Sequence, residues 1–335
     1  MQLGLKGLGY RNIAVILTLG ILGAWFAFLS TALAAYPDEV ILEMPVHPLV
    51  EKPEEVPNTS GPLISDTCLP IKTHHASMQF LMAWPITRAN FTSNWRQVSA
   101  KGDLSSLNMA VKFTYGPGKN LEINLAVPYI HNFASHSDRS SVLPNYGRAA
   151  DYGGIDDISV EVKYLVLPES EMRPAVAGVF GMGFPSGHAS HLNPGRLSTD
   201  AIGSGAFTFT TGVNLYKWLK PFLVYSNIWI NTPVNLFESR NDAVRSRESV
   251  ICNLAAEYPI TRRWVALLEF YSTWTWTNIS TPQGFQSTST VLGVLSGIEF
   301  LVTPQWSFAA GTSVDLVGKA GSAKVTPLVT VYYSF

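Results

Sequence analysis

Lys324-Val325-Thr326-Pro327-Leu328-Val329-Thr330-Val331-Tyr332-Tyr333-Ser334-Phe335 closes the chain, and its reading decides the fold. Successive side chains of a strand point to opposite faces. Val325, Pro327, Val329, Val331, Tyr333 and Phe335 therefore share one face. Lys324, Thr326, Leu328, Thr330, Tyr332 and Ser334 share the other. An apolar outer face, an aromatic third from the end and a terminal Phe are how an outer-membrane β-barrel finishes.

The same period of two recurs back to residue 74. Strands are expected at 75–87, 104–115, 120–133, 154–167, 175–185, 204–219, 222–233, 248–260, 264–276, 289–302, 306–317 and 324–335. Their connections alternate in length. The long ones are 88–103, 134–153, 186–203, 234–247, 277–288 and 318–323. The short ones are Gly116-Pro117-Gly118-Lys119, 168–174, Lys220-Pro221, Thr261-Arg262-Arg263 and Thr303-Pro304-Gln305. With an even strand number, every short turn and both barrel ends fall on one side, the pattern of short periplasmic turns and longer external loops. Trp264, Trp306, Trp218, Tyr115 and Tyr333 stand near the periplasmic strand ends. Trp84, Tyr129, Phe133, Phe184, Phe207, Trp274 and Trp276 stand near the outer ends, making two interfacial girdles.

Composition agrees. The 335 residues are 47% hydrophobic but only 14% charged, against roughly 25% charged in soluble domains. Beyond residue 35 no apolar run approaches the ~20 residues a spanning helix needs, and only helices and closed barrels satisfy the whole backbone in lipid. The fold expected is all-β, an antiparallel transmembrane β-barrel of about 12 strands over 74–335. It lies in the outer membrane of a Gram-negative bacterium.

Residues 1–35 read as a cleaved signal peptide. Lys6 and Arg11 supply the positive region, Ile13 to Phe28 the apolar core, and Ala32-Leu33-Ala34 the small-residue cleavage zone. Residues 36–73 carry Pro37, Pro45, Pro48, Pro53, Pro57, Pro62 and Pro70 with Glu51, Glu54 and Glu55, a composition that resists helix and strand. They form a periplasmic arm or a plug that enters the barrel, and the composition leans to the arm. Cys68 and Cys252 make no disulfide framework. The formal net charge of −1 gives no argument for nucleic acid, and no cofactor motif is present.

Alternation sorts each strand into lipid and lumen faces. Leu121, Ile123, Leu125, Val127 and Tyr129 face out, leaving Glu122 and Asn124 inside. Lumen candidates include Gln79, Asn108, Lys112, Glu122, Asn124, Glu161, Lys163, Asn214, Tyr225, Asn227, Asn253, Glu257, Glu269, Glu299 and Asp315. The transport residues expected are Glu161, Lys163, Glu257, Glu269, Glu122 and Lys112. Glu257 and Glu269 come from neighbouring strands and favour a cation-selective or proton-sensitive constriction; a structural polar network filling the barrel is the plainer alternative. Tyr333 and Phe335 are the expected assembly signal, read by the barrel-assembly machinery, with outer-membrane lipid as the other partner.

His131, His136, His188 and His191 cluster in expected external loops. His188 and His191 have H-x-x-H spacing, but no cysteine or ordered carboxylate completes a metal site. His188-Ala189-Ser190 could pair base and nucleophile, as in outer-membrane phospholipase A; there the pair lies on a lipid-facing strand, here in a loop. No catalytic residue is assigned.

Gly153-Gly154-Ile155-Asp156-Asp157-Ile158-Ser159-Val160-Glu161-Val162-Lys163-Tyr164, Gly183-Phe184-Pro185-Ser186-Gly187 and Gly203-Ser204-Gly205 carry a resemblance. The chain resembles the outer-membrane family named for transport in the meta-pathway of phenol degradation, over roughly 75–335. The family's Gly-x-Gly-Asp-Ile opening reads Gly-Ile-Asp-Asp-Ile here. The resemblance implies a barrel that takes up a small, aromatic or hydrophobic solute. The expectation is a passive or gated channel, with loops 134–153 and 186–203 as its outer gate. A structural or adhesive barrel and a lipid hydrolase are the alternatives.

Overall fold

The computed structural model describes residues 59–100, 102–135, 147–189, 191–234, 246–278 and 286–335. The signal-peptide expectation, most of the Pro-rich stretch, His136 and Ser190 lie outside them. The strands are β1 (Ala76–Ala83), β2 (Ile86–Phe91), β3 (Gln97–Ser99), β4 (Asp103–Gly118), β5 (Leu121–Ser135), β6 (Ala150–Ile155), β7 (Ile158–Leu167) and β8 (Ala175–Phe184). β9 (Phe207–Leu219), β10 (Phe222–Val234), β11 (Ser246–Pro259), β12 (Trp264–Asn278), β13 (Gln286–Leu301), β14 (Trp306–Lys319) and β15 (Gly321–Ser334) follow.

From β7 to β15 each strand pairs antiparallel with the next, β4 pairs with β5, and β1 closes the ring by pairing with both β4 and β15. β2 continues β1 beyond Pro85 and pairs with β15, while β6 leads into β7 past Asp156-Asp157 and both pair with β5. The result is a closed barrel of twelve crossings. Closure leaves no sheet edge in lipid. The terminal Phe335 N–H donates to the Ala76 carbonyl at 2.8 Å, fastening the last strand to the first at the short-turn end.

Side chains divide as the alternation requires. On β12, Trp264, Leu268, Phe270 and Trp276 are exposed on the outside, whereas Val265, Leu267 and Glu269 are buried inside. Burying a carboxylate while exposing tryptophan makes sense only if lipid is the outer solvent.

Two connections differ from expectation. The 318–323 link is no long loop: β14 runs to Lys319 and β15 starts at Gly321, with Ala320 alone between them at φ 50. Residues 88–103 likewise hold the second part of β2 and all of β3, which form a hairpin of their own. In both places backbone pairing continues where the apolar outer face has ended, so periodicity alone stops too early. Trp218 is a further correction. The parity that turns Asn214 and Tyr216 inward on β9 turns Trp218 inward too, and it packs on the buried Tyr216, Leu223 and Cys68 group rather than joining the girdle.

Candidate functional site: the barrel lumen

The chain from Thr59 to His75 runs inside the barrel before entering β1. Its first anchor is Glu299 of β13, which accepts from Thr59 Oγ1 at 2.7 Å, from the Ser60 N–H at 2.9 Å and from Ser60 Oγ. Glu269 of β12 then takes three consecutive amides. Leu63 N donates to Oε1 at 2.6 Å, Ser65 N to Oε2 at 2.7 Å, and Ile64 N bridges both oxygens at 3.1 Å. Leu63 packs into an apolar wall of Val265, Leu267, Leu295, Ala309 and Leu328. Gly297 and Gly311 leave room for it: a Cβ on either would stand about 3 Å from Leu63 Cδ1.

The segment then crosses to the opposite wall. Asn227 of β10 pairs with Asp66 as a strand would, accepting its N–H at 2.9 Å and donating to its carbonyl at 3.0 Å. Asp66 Oδ2 receives Asn214 Nδ2 at 2.8 Å and Lys163 Nζ at 3.3 Å, and Oδ1 lies 3.5 Å from Lys112 Nζ. Burial pushes this carboxyl up, but the ammonium groups of Lys163 and Lys112 outweigh burial and hold its pKa below the ordinary value. Lys163 is fully buried, bonding also to Glu122 at 2.9 Å and to the Thr67 carbonyl at 2.9 Å. Cys68 is buried among Leu165, Ala175, Ala177 and Tyr216, and Glu122 accepts the Ile71 N–H at 2.8 Å. The His74 N–H finally meets the Gly116 carbonyl at 2.7 Å, returning the chain to the short-turn rim.

Four expected transport residues, Lys112, Glu122, Lys163 and Glu269, thus meet one stretch of chain, Lys112 through the Asp66 side chain and the others through backbone groups as well. Glu161 stands beside them, accepting from Asn124 Nδ2 at 3.2 Å. Glu257 touches no segment amide; it accepts from Tyr225 Oη at 3.2 Å, and its other oxygen is buried with no hydrogen-bond partner. Sequence reasoning missed Asp66, Thr59, Ser60 and the lumen-facing Trp229. A signal existed: residues 59–71 hold Leu63, Ile64, Cys68, Leu69 and Ile71, while the glutamates stop at Glu55.

A cavity of about 630 Å³ remains beside the segment, lined on the barrel side by residues including Gln79, Leu81, Lys112, Glu161, Tyr225 and Trp229. Toward the long-loop end, residues 186–189 and 191–206 fold onto the inner face of β5 and β6. Asn132 donates to the Thr199 carbonyl at 2.8 Å, Arg196 lies 4.5 Å over the Tyr152 ring, and Ile202 is buried against Gly154. Asp157 staples this loop, accepting from Gly187 N at 3.1 Å and from Ser204 N at 2.7 Å. His131 stacks on Phe133 and meets Asp151 at 3.2 Å, and His188 tilts against Tyr152. Among the described residues no three His, Cys, Asp or Glu side chains gather as metal ligands.

The crystal structure of an outer membrane channel from Pseudomonas putida F1 is similar at 13% identity and TM-score 0.62, covering 80% of this chain and 98% of that one. The translocator domain of the autotransporter NalP from Neisseria meningitidis matches at 12% identity and TM-score 0.42, over 79% of this chain and 90% of that one. The CymD monoaromatic hydrocarbon channel matches at 10% and 0.41, over 79% and 89%. No curated protein matches the sequence. Residues 87–321 match the family described as "Putative MetA-pathway of phenol degradation". That match spans more than half the chain and agrees with the strand openings at Gly153–Tyr164 and Gly203–Gly205, so this outer-membrane barrel belongs to that family.

Proposed function

We propose that this protein is an outer-membrane channel for uptake of a small aromatic or hydrophobic solute, and that residues 59–75 are the plug of its lumen. The observation carrying this reading is the pairing of a continuous polar lumen with a segment that fills only part of it. The cavity of about 630 Å³ beside the segment is of the size that takes small organic ligands. Family membership supports the solute class, since phenol degradation needs a route for an aromatic compound across the outer membrane. Tyr225, Trp229, Leu81 and Leu223 give the cavity an apolar side for such a ring. Residues 186–206, folded over the outer mouth, serve as the external gate.

The test is planar-bilayer conductance of the refolded full-length protein and of a form lacking residues 36–73. More frequent or larger openings in the shortened form support a plug. Equal conductance leaves the segment a fixed part of the wall, and silence from both forms defeats the channel reading. The lipid-hydrolase alternative needs His188 and Ser190, and Ser190→Ala should leave solute passage unchanged.

A further inference from the structure

Trp229 is fixed against the lumen wall by two neighbours. Its register partner on β9 is Gly212, and a Cβ there would stand 2.2 Å from the indole Cδ1. The ring therefore lies across β9, in space that a side chain at 212 would take. Its N–H donates to Asn214 Oδ1 at 2.8 Å. Asn214 is fully buried and donates in turn to Asp66 at 2.8 Å. Glycine and amide together hold a half-buried tryptophan in one orientation. With one side of the indole backed by β9, its other side is what lines the cavity of about 630 Å³.

The cavity has two unlike sides. Nearer the short-turn end of the Trp229 wall, the Tyr216 and Tyr225 rings stand 5.2 Å apart, and Leu223 continues the apolar surface. Five strands separate β10 from β1 in either direction around the ring, β4, β5, β7, β8 and β9 one way and β15, β14, β13, β12 and β11 the other. Gln79 of β1 and Lys112 of β4 therefore line the cavity from across the lumen, with Glu161 of β7 as a third polar group. The Lys112 side chain stays 30% exposed, and an ammonium offers three donors. Glu161 offers carboxyl oxygens. A fitting solute has a flat ring for one side and, for the other, an uncharged group that both accepts and donates a hydrogen bond. Paired aromatic rings gain energy beyond the area they bury, so the indole separates an aromatic ring from a saturated one of the same size.

We infer that Trp229 is the specificity-determining residue of this cavity. It selects small aromatic rings bearing an uncharged donor–acceptor group such as hydroxyl or carboxamide, and Lys112 and Glu161 take that group. This narrows the solute class within the channel reading above and rests on it.

Benzamide and cyclohexanecarboxamide carry one substituent on an aromatic and on a saturated ring. Their binding to the full-length protein in lipid nanodiscs is measured by calorimetric titration, with empty nanodiscs as the blank. Benzamide should bind about fivefold more tightly, within what a ring pair adds. Trp229→Leu should make the two affinities about equal while the midpoint of thermal unfolding changes little. Gly212→Ala makes the same comparison if that variant assembles poorly, because the added Cβ displaces the indole. Lys112→Met should weaken both carboxamides alike, by severalfold. Equal affinities in the unaltered protein, no benzamide binding, or a preference that survives both wall variants overturns the inference. Unchanged affinities in Lys112→Met overturn its polar half. Binding is read without ion flow, so a preparation that conducts yet shows no preference defeats this inference alone and leaves the channel reading standing.

Discussion

Glu269 holds three successive N–H groups with one carboxylate, and this bond set shows how the lumen recognises its own chain. The grip is on backbone rather than on side chains. Glu269→Ala would leave buried donors without an acceptor, at about 1–3 kcal/mol for each group left unsatisfied. The segment should then loosen, read as faster protease cleavage within residues 59–72 in the folded barrel; unchanged protection would show that the other anchors suffice. Asp66 sits between two lysines, and Asp66→Asn would leave the buried Lys163 with Glu122 as its remaining charged partner. Because the Asp66 pKa is lowered on folding, its ion pairs stabilise the docked segment above the unfolded carboxyl value near pH 4 and fade as pH falls below it. Acid should therefore release the segment, and Asp66→Asn should weaken that acid response. An identical pH profile in the variant would assign the release to other groups.

Among elements, the break between β6 and β7 carries the most consequence. Among the described strands β6 pairs only with β5; Arg196 and Ile202 meet it at Tyr152 and Gly154, and Asp157, in the link to β7, holds Gly187 and Ser204. Asp157→Ala should free that loop, raising hydrogen exchange over residues 187–204 while the midpoint of thermal unfolding of the barrel changes little. A rigid loop in the variant would show that Asn132 and Arg196 hold it alone. At the last strand, Phe335 meets Tyr333 edge-on at 4.7 Å, and Tyr333 packs on Trp306 at 4.4 Å. Deleting Phe335 removes both this aromatic contact and the bond to Ala76, so membrane assembly should drop sharply. Normal insertion of the shortened chain would count against Tyr333 and Phe335 as the assembly signal.

At the scale of the molecule, the barrel and its contents follow different rules. A strand in lipid must show apolar side chains outward at every second position and leave the others for the lumen, whatever its neighbours are. That requirement is local, so the twelve crossings, their short turns at one end and the inward placement of Lys112, Glu122, Glu161, Lys163, Glu257 and Glu269 can be read from periodicity. Where periodicity misled, as at 88–103 and 318–323, the ladder continued past the lipid and needed no apolar face. The lumen's interior is not local. Glu269 and Leu63 lie 206 positions apart, and a backbone amide leaves no trace in the residue types that supply it. Only closure of the ring brings the β4–β7 wall opposite the β11–β13 wall, with Asp66 reaching one and Leu63 the other. The sequence by itself therefore determined a barrel, the grouping of its short turns at one end and its two faces, because each strand solves its own solvation problem. The tertiary structure alone decided what fills the lumen and which wall each part of that segment meets, because those depend on distances that exist only once the sheet has closed.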